Sequence, residues 1–250
     1  MRIVTSTITT TATATATTTA MGTAMTTDAA LYRLLAWTSP AYPVGAFSYS
    51  HGLEWAVEAG QVRDVDGAVA YIAAVLERGG GWVDAVLFAA THRVAGDPAE
   101  LDGLADLAAA FRASSETALE SRQQGQAFLT VTRRAWPHPL LDEFARRRAG
   151  LPVAHCTAMA VACAAHGIAL EPALHAYLHG IASNLVSAAV RLVPLGQTDG
   201  QIATARLGQA VAAVGRAALA ADIDELGTAA PGLELCSLAH ETQYTRLFRS

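Results

Sequence analysis

The sequence contains no lysine: all 17 basic residues among its 250 are arginine. That absence excludes the phosphate-cradling GxxxxGK[ST] loop, whose lysine reaches the terminal phosphates. Charge of either sign is scarce, at 16% of residues, and the formal balance of −5 provides no basic face of the kind nucleic-acid binders carry. Aromatic residues are few, 6%, and strand-like runs are missing, while Ala and Leu dominate an apolar fraction of 52%. Such a composition favours helices over strands. The three cysteines, Cys156, Cys163 and Cys236, form no CxxC pair and cannot all be paired within one chain. With no secretory signal ahead of them they imply a reducing cytoplasm. Cys156 and Cys163, seven apart on one helix, read as small core residues.

Long apolar runs are also lacking. After Asp28 the longest stretches without Asp, Glu, Lys or Arg cover 149–170 and 172–190. Each holds two histidines, the first also holds Pro152 and Gly167, and Ala supplies much of the apolar character. They read as the central helices of a bundle and not as membrane spans.

Residues 5–27 are mostly Thr and Ala, with almost nothing large enough to bury. A stretch of this kind cannot offset its ordering entropy, so 1–27 is expected to be a disordered low-complexity leader, with Met21 and Met25 as alternative starts. From there the helical punctuation is regular. Asp28 caps a helix through Trp37 that Ser39-Pro40 stops, and a second helix runs from Phe47 or Ser48 to Gly60. Short amphipathic segments at 64–78, 81–95, 98–112, 114–135 and 138–149 follow, divided by Gly79-Gly80-Gly81, Gly96-Asp97-Pro98 and Pro137. Then come 153–166, 172–193 and 198–225, and a tail from 226 containing Pro231-Gly232. No repeat and no Gly/Ser linker divides the chain, so 28–250 is expected to form a single compact all-α domain of about ten helices.

Catalytic signatures are equally sparse. There is no GxSxG, no DDxxD-like acidic pair, and nothing that assembles a nucleophile, a base and an oxyanion site. His175 and His179 share the i, i+4 spacing of a helical metal site, but Ala176 stands where HExxH has its general base, which makes the pair a weak metal candidate. They open a polar series, His175, His179, Ser183, Ser187 and Arg191, that drifts around its helix by roughly 40° per step. Such a track either lines a groove or passage or is a set of individually hydrogen-bonded side chains. His155, Cys156, Cys163 and His166 span more than two turns and cannot by themselves hold one ion.

Three segments remain unusual: SPAYPVGAFSYSHGLEWA at 39–56, RLVPLGQTDGQ at 191–201 and HETQYTRLFRS at 240–250. The first reads as a stiff turn in which Phe47, Tyr49 and Trp55 pack around Pro40, Pro43 and Gly45. The last concentrates Tyr and Arg, the residue types that anchor interfaces, in a segment that docks on its own domain or folds on a partner.

Read as TSPAYPVGAFSYSHGLEWAVEAG from 38, AVRLVPLGQTDGQ from 189 and HETQYTRLFRS from 240, these segments resemble the UreF family of urease accessory proteins. The resemblance covers residue 28 to the end, and the leader lies outside it. It implies an all-helical, dimeric, cytoplasmic protein without a catalytic site or cofactor of its own. In that family UreF binds UreD, called UreH in some organisms, and the pair recruits the GTPase UreG to apo-urease for nickel insertion. Nickel is then handled by the complex, and GTP and magnesium by UreG, whose hydrolysis UreF is thought to regulate. The residues carried over as partner-binding are Pro43, Gly45, Phe47, Tyr49, Ser50 and Glu54, then Arg191, Pro194, Gly196 and Gln197, then His240, Glu241, Gln243, Tyr244, Arg246, Leu247 and Phe248. Within that set Tyr244, Arg246, Leu247 and Phe248 are expected to dock on UreD. Arg191 is expected either to reach a GTPase in trans or to pair with an acid inside the fold. The alternative class is a nickel-storing protein or a helical enzyme, although storage predicts clustered histidines and these are spread from His51 to His240.

Overall fold

A computed structural model describes residues 27–250, apart from the Glu225 side chain. The leader expectation falls on residues outside this range, except Thr27. Among the described residues there are eleven α-helices, two 3₁₀ turns and no strand. The helices are α1 (Asp28–Trp37), α2 (Leu53–Glu58), α3 (Val65–Arg78), α4 (Gly80–Arg93), α5 (Pro98–Ala110), α6 (Ser115–Ala135), α7 (Pro139–Arg147), α8 (His155–Ala165), α9 (Leu170–Leu192), α10 (Gln197–Ala220) and α11 (Pro231–His240).

Local chemistry explains most of the boundaries. The Asp64, Asp97 and Ser114 side chains accept from free amides in the first turns of α3, α5 and α6. Pro98 supplies a pre-set first residue for α5. For α1 the cap is Thr27, whose hydroxyl accepts from Ala30 N at 3.2 Å, and not Asp28, which stands one residue inside the helix.

Three expectations need correction. The second helix begins at Leu53 and not at Phe47, because His51 and Gly52 adopt left-handed conformations, φ 54° and 76°, that no α-helix can contain. Gly52 cannot be replaced there, since a Cβ would lie 2.7 Å from Ser237 N on α11. The fourth helix begins at Gly80, one residue before the expected 81, and Gly81 lets its first turn approach the Leu76 backbone. The region after 226 is not only a tail, because Pro231 starts a further helix, α11, against α2.

The charge-free stretches are the centre of the bundle. Every residue from Cys156 to Cys163 on α8 is buried, with α4 and α6 on either side. Helix α9 packs on α10, α4 and α3. Trp37 on α1 meets Phe128 and Trp136 edge-on, with centroids 5.8 and 5.9 Å apart, and closes one end of this core. All three cysteines are buried free thiols. Among the described residues no helix is long and apolar enough to cross a membrane.

Candidate functional site

Helices α2 and α6 bury three carboxylates, Glu54, Glu116 and Glu120. Unpaired carboxylates at this depth would be very costly, so their partners define the local fold. Most of those partners come from residues 240–250, the last residue of α11 and the segment after it, while His51 and Gln124 also meet Glu120. His240, fully buried, places Nδ1 2.7 Å from Glu116 and Nε2 3.1 Å from Glu54. Glu54 also accepts the backbone amides of Leu247 at 2.6 Å and Phe248 at 2.9 Å. Arg246 donates to Glu116 at 2.7 Å, and the Ser250 hydroxyl donates to Glu120 at 2.9 Å.

Residues 240–250 therefore lie as a strap across α2 and the start of α6. Backbone bonds extend the strap to the first unusual segment: Arg249 N donates to Ser48 O at 2.8 Å and Ser50 N to Ser250 O at 2.6 Å. The Ser50 hydroxyl also donates to Ser250 O, and the Gln243 amide to Glu58. Glu241 accepts from the Ser115 hydroxyl at 2.7 Å and from Ser115 N at 2.9 Å, which sets a carboxylate on the amide end of α6 and lowers its pKa through those hydrogen bonds, the hydroxyl's first.

Arg191 joins the three segments. It donates to Phe47 O at 2.9 Å and Ser187 O at 3.2 Å, and its guanidinium lies 4.3 Å from the centre of the Phe248 ring. Its partners are carbonyls and a ring, not the acidic side chain that the sequence suggested as one alternative.

The carried-over residues thus divide into two sets. Tyr49, Ser50, Glu54, His240, Gln243 and Phe248 are buried and hold the strap or its neighbours. Phe47 and Leu247 are 66% and 63% exposed, and Tyr244 is fully exposed. Pro43 is exposed, and Gly45, at φ 77°, gives the turn a conformation that favours glycine. Pro194 and Gly196 are exposed between α9 and α10 and Gln197 is exposed as the first residue of α10, where Gly196 N donates to Asp199 at 3.0 Å.

The polar series on α9 is a set of local hydrogen bonds, partly exposed. His175 Nδ1 contacts Glu171 O at 3.0 Å with its ring against Gly215 of α10, and His179 contacts Ser183 at 3.2 Å. Among the described residues no group of three or more His, Cys, Asp or Glu side chains is placed to hold a metal ion.

A second polar cluster, missed in the sequence, lies deeper. Asp84 on α4 pairs with Arg112 at 2.8 Å and accepts from the Tyr177 hydroxyl at 2.8 Å. Burial alone would raise the Asp84 carboxyl, but the Arg112 charge and the Tyr177 bond hold it below its ordinary range. Burial likewise works against a charged His51, and the Glu120 carboxylate 3.0 Å away overcomes it and raises the imidazole. Neither Glu116 and Glu120, four apart on α6, nor the Asp84–Arg112 pair stands out in the sequence. An i, i+4 acidic pair reads as a solvated helix face until its distant partners are known.

The UreF family model matches residues 62–208, from just before α3 into α10. The chain belongs to the UreF family. It is 50% identical over 224 residues to a urease accessory protein UreF of Rhodopseudomonas palustris, covering 89% of this chain and 92% of that one. It is 51% identical over 227 residues to the UreF of Granulibacter bethesdensis, covering 90% and 96%. The Bradyrhizobium diazoefficiens UreF is 48% identical over 224 residues, covering 89% and 92%. The family match includes Arg191, Glu116 and Glu120 of this UreF-family chain, while Glu54 and the strap lie outside its limits.

Proposed function

We propose that this chain acts in urease maturation as a non-catalytic component: with UreD it recruits the GTPase UreG to apo-urease and supports GTP-dependent nickel insertion. Nickel is the cargo of that assembly, GTP and magnesium belong to UreG, and the setting is the cytoplasm. The observation that carries the reading is the strap. Its buried residues are spent on attachment, while it carries Tyr244 and Leu247 outward, with Phe47 exposed on the segment bonded beside it. Large apolar side chains held on a fixed platform are the type that anchors an interface. The UreD contact is assigned to Phe47, Tyr244 and Leu247. Arg191 is assigned to holding Phe47 and Phe248 in place. The exposed turn with Pro194, Gly196 and Gln197 is assigned to a second copy of the chain or to UreG.

Removing 240–250 would not test this cleanly, because it would strip the buried Glu54 and Glu116 carboxylates of their side-chain and amide partners and take Ser250 from Glu120. A Tyr244→Ala, Leu247→Ala double variant leaves every one of those bonds in place. Its circular dichroism and melting temperature are expected to match the parent, with loss of co-purification with UreD and of urease activation in a reconstituted assay. A folded double variant that still co-purifies and still activates urease would overturn the assignment.

A further inference from the structure

A cavity of about 330 Å³ opens between the start of α4, the α5–α6 connection, α6, the first residue of α8, and α11. That volume lies at the lower end of small-molecule sites, which run from roughly 300 to 1,000 Å³. At its rim are Gly80, where an added Cβ would meet nothing within 4 Å, and Thr228, whose hydroxyl donates to Glu234. Its wall contains two side-chain atoms with neither a hydrogen-bond nor an ion-pair partner: Nε2 of His155 and Oγ of Ser121, a residue only 8% exposed. Leaving a buried polar atom unpaired costs about 1–3 kcal/mol, so a wall with two of them is chemically unfinished.

The charges of the wall are unbalanced. Asp84, Glu120 and Glu234 face one guanidinium, Arg112, and one imidazole bonded to Glu120, His51. Arg112 is already committed to Asp84, to Ala108 O at 3.0 Å and to the Cys156 sulfur at 3.8 Å. His155 adds no positive charge near neutral pH, because burial pushes its imidazole down to about 4 against the weaker pull of Asp84 and Glu120. It stays an uncharged ring with a lone pair to offer. Phe111 and Tyr177 add aromatic surface, which attracts cations. The amide end of α4 would favour an anion, but Asp84 sits one turn inside it.

We propose that this cavity is a binding site for a small organic cation, an alkylammonium or a guanidinium, seated between Glu234 and Ser121 with His155 at its inner end. Water alone would satisfy the two orphaned atoms but would leave the excess negative charge uncompensated. The site is separate from the exposed strap surface and does not rest on the urease assignment.

The test is titration of the full chain, followed by amide chemical shifts, with n-propylammonium and methylguanidinium as cationic probes. Acetate and N-methylurea serve as anionic and neutral counterparts of similar size. Saturable shifts at 79–84, Ser121 and His155 are expected with the cations alone, and Glu234→Gln weakens them about tenfold by removing one charged partner. Ser121→Ala, which removes a hydroxyl that bonds nothing in the fold, weakens them severalfold and carries the test if the Glu234 variant fails to fold. The proposal is overturned if no probe saturates, if acetate or N-methylurea binds as tightly as the cations, or if folded variants bind like the parent.

Discussion

The Glu54→Ala substitution should detach the strap while leaving the helical core folded. Glu54 is the only acceptor shown for the amides of Leu247 and Phe248, at 2.6 and 2.9 Å, and it also meets His240 Nε2 at 3.1 Å. Hydrogen bonds to a charged acceptor contribute about 1.5–3 kcal/mol each, but truncation does not forfeit their sum, since Glu116 and Glu120 keep their own holds on Arg246, His240 and Ser250. A net loss of about 3 kcal/mol in docking is expected, roughly a hundredfold rise in the detached population. Glu54→Gln, which keeps one carbonyl acceptor, should lie between the two. Amide hydrogen exchange reads this directly at 247 and 248, and trypsin reads it as cleavage after Arg246, which needs local unfolding of the strap. If exchange across 244–250 and the tryptic half-life match the parent, Glu54 does not hold the strap and the argument from the buried carboxylates fails.

The remaining predictions concern the core. A Cβ at Gly125 would stand 2.1 Å from Val153 O and 2.7 Å from Ala154 C, so Gly125→Ala must push α6 off the chain entering α8. It should cost about 3 kcal/mol and lower the melting temperature by about 6–12 °C, whereas Gly103→Ala, in α5 with nothing within 4 Å, should gain about 0.5–1 kcal/mol. Asp84→Ala leaves the Arg112 guanidinium buried without its carboxylate and should cost about 3–5 kcal/mol in urea unfolding; a loss below about 1 kcal/mol would mean that water replaces the pair. His155, held near 4 from 6.5, refuses a proton that the unfolded chain accepts, so its part of the stability falls by about 3 kcal/mol as pH drops from 6.5 to 4. His51 has the opposite sign, its stabilisation being present at low pH and lost as pH rises through its raised value. Urea unfolding of His155→Phe should therefore show a flatter loss between pH 6.5 and 4, and an unchanged slope would refute the assignment.

Where local chemistry sets a boundary, the sequence was legible. Asp64, Asp97 with Pro98, and Ser114 mark helix starts that the structure reproduces within a residue or two. The second helix was misplaced because nothing local announces a left-handed His51; that conformation is held by contacts elsewhere, including Tyr71 donating to His51 O at 2.9 Å. The unusual segments were recognisable as segments, but not which of their residues face inward. Tyr49 and Phe47 are both aromatic, two apart, and only the fold buries one and exposes the other. Glu116 and Glu120 were invisible for a related reason: their partners His240, Arg246 and Ser250 lie more than a hundred residues away in the chain.

The strap is also attached in an unusual way for a closing element. Its one large buried apolar side chain is Phe248, whose burial contributes about 2 kcal/mol, and the rest of its hold is polar and directional. An element held like this docks with a modest free energy and can be shifted by single side chains that touch no partner. A partner that needs Tyr244 and Leu247 in their docked positions then binds with an affinity scaled by the docked fraction. If about 1% of parent straps are detached, the hundredfold rise leaves about half of the Glu54→Ala straps docked, so apparent affinity for UreD should fall about twofold, and Arg191→Ala, which frees Phe47 and Phe248 but leaves every carboxylate bond, should give a smaller fall. Equal affinity in all three proteins, with strap exchange changed as expected, would separate the strap from the partner surface altogether.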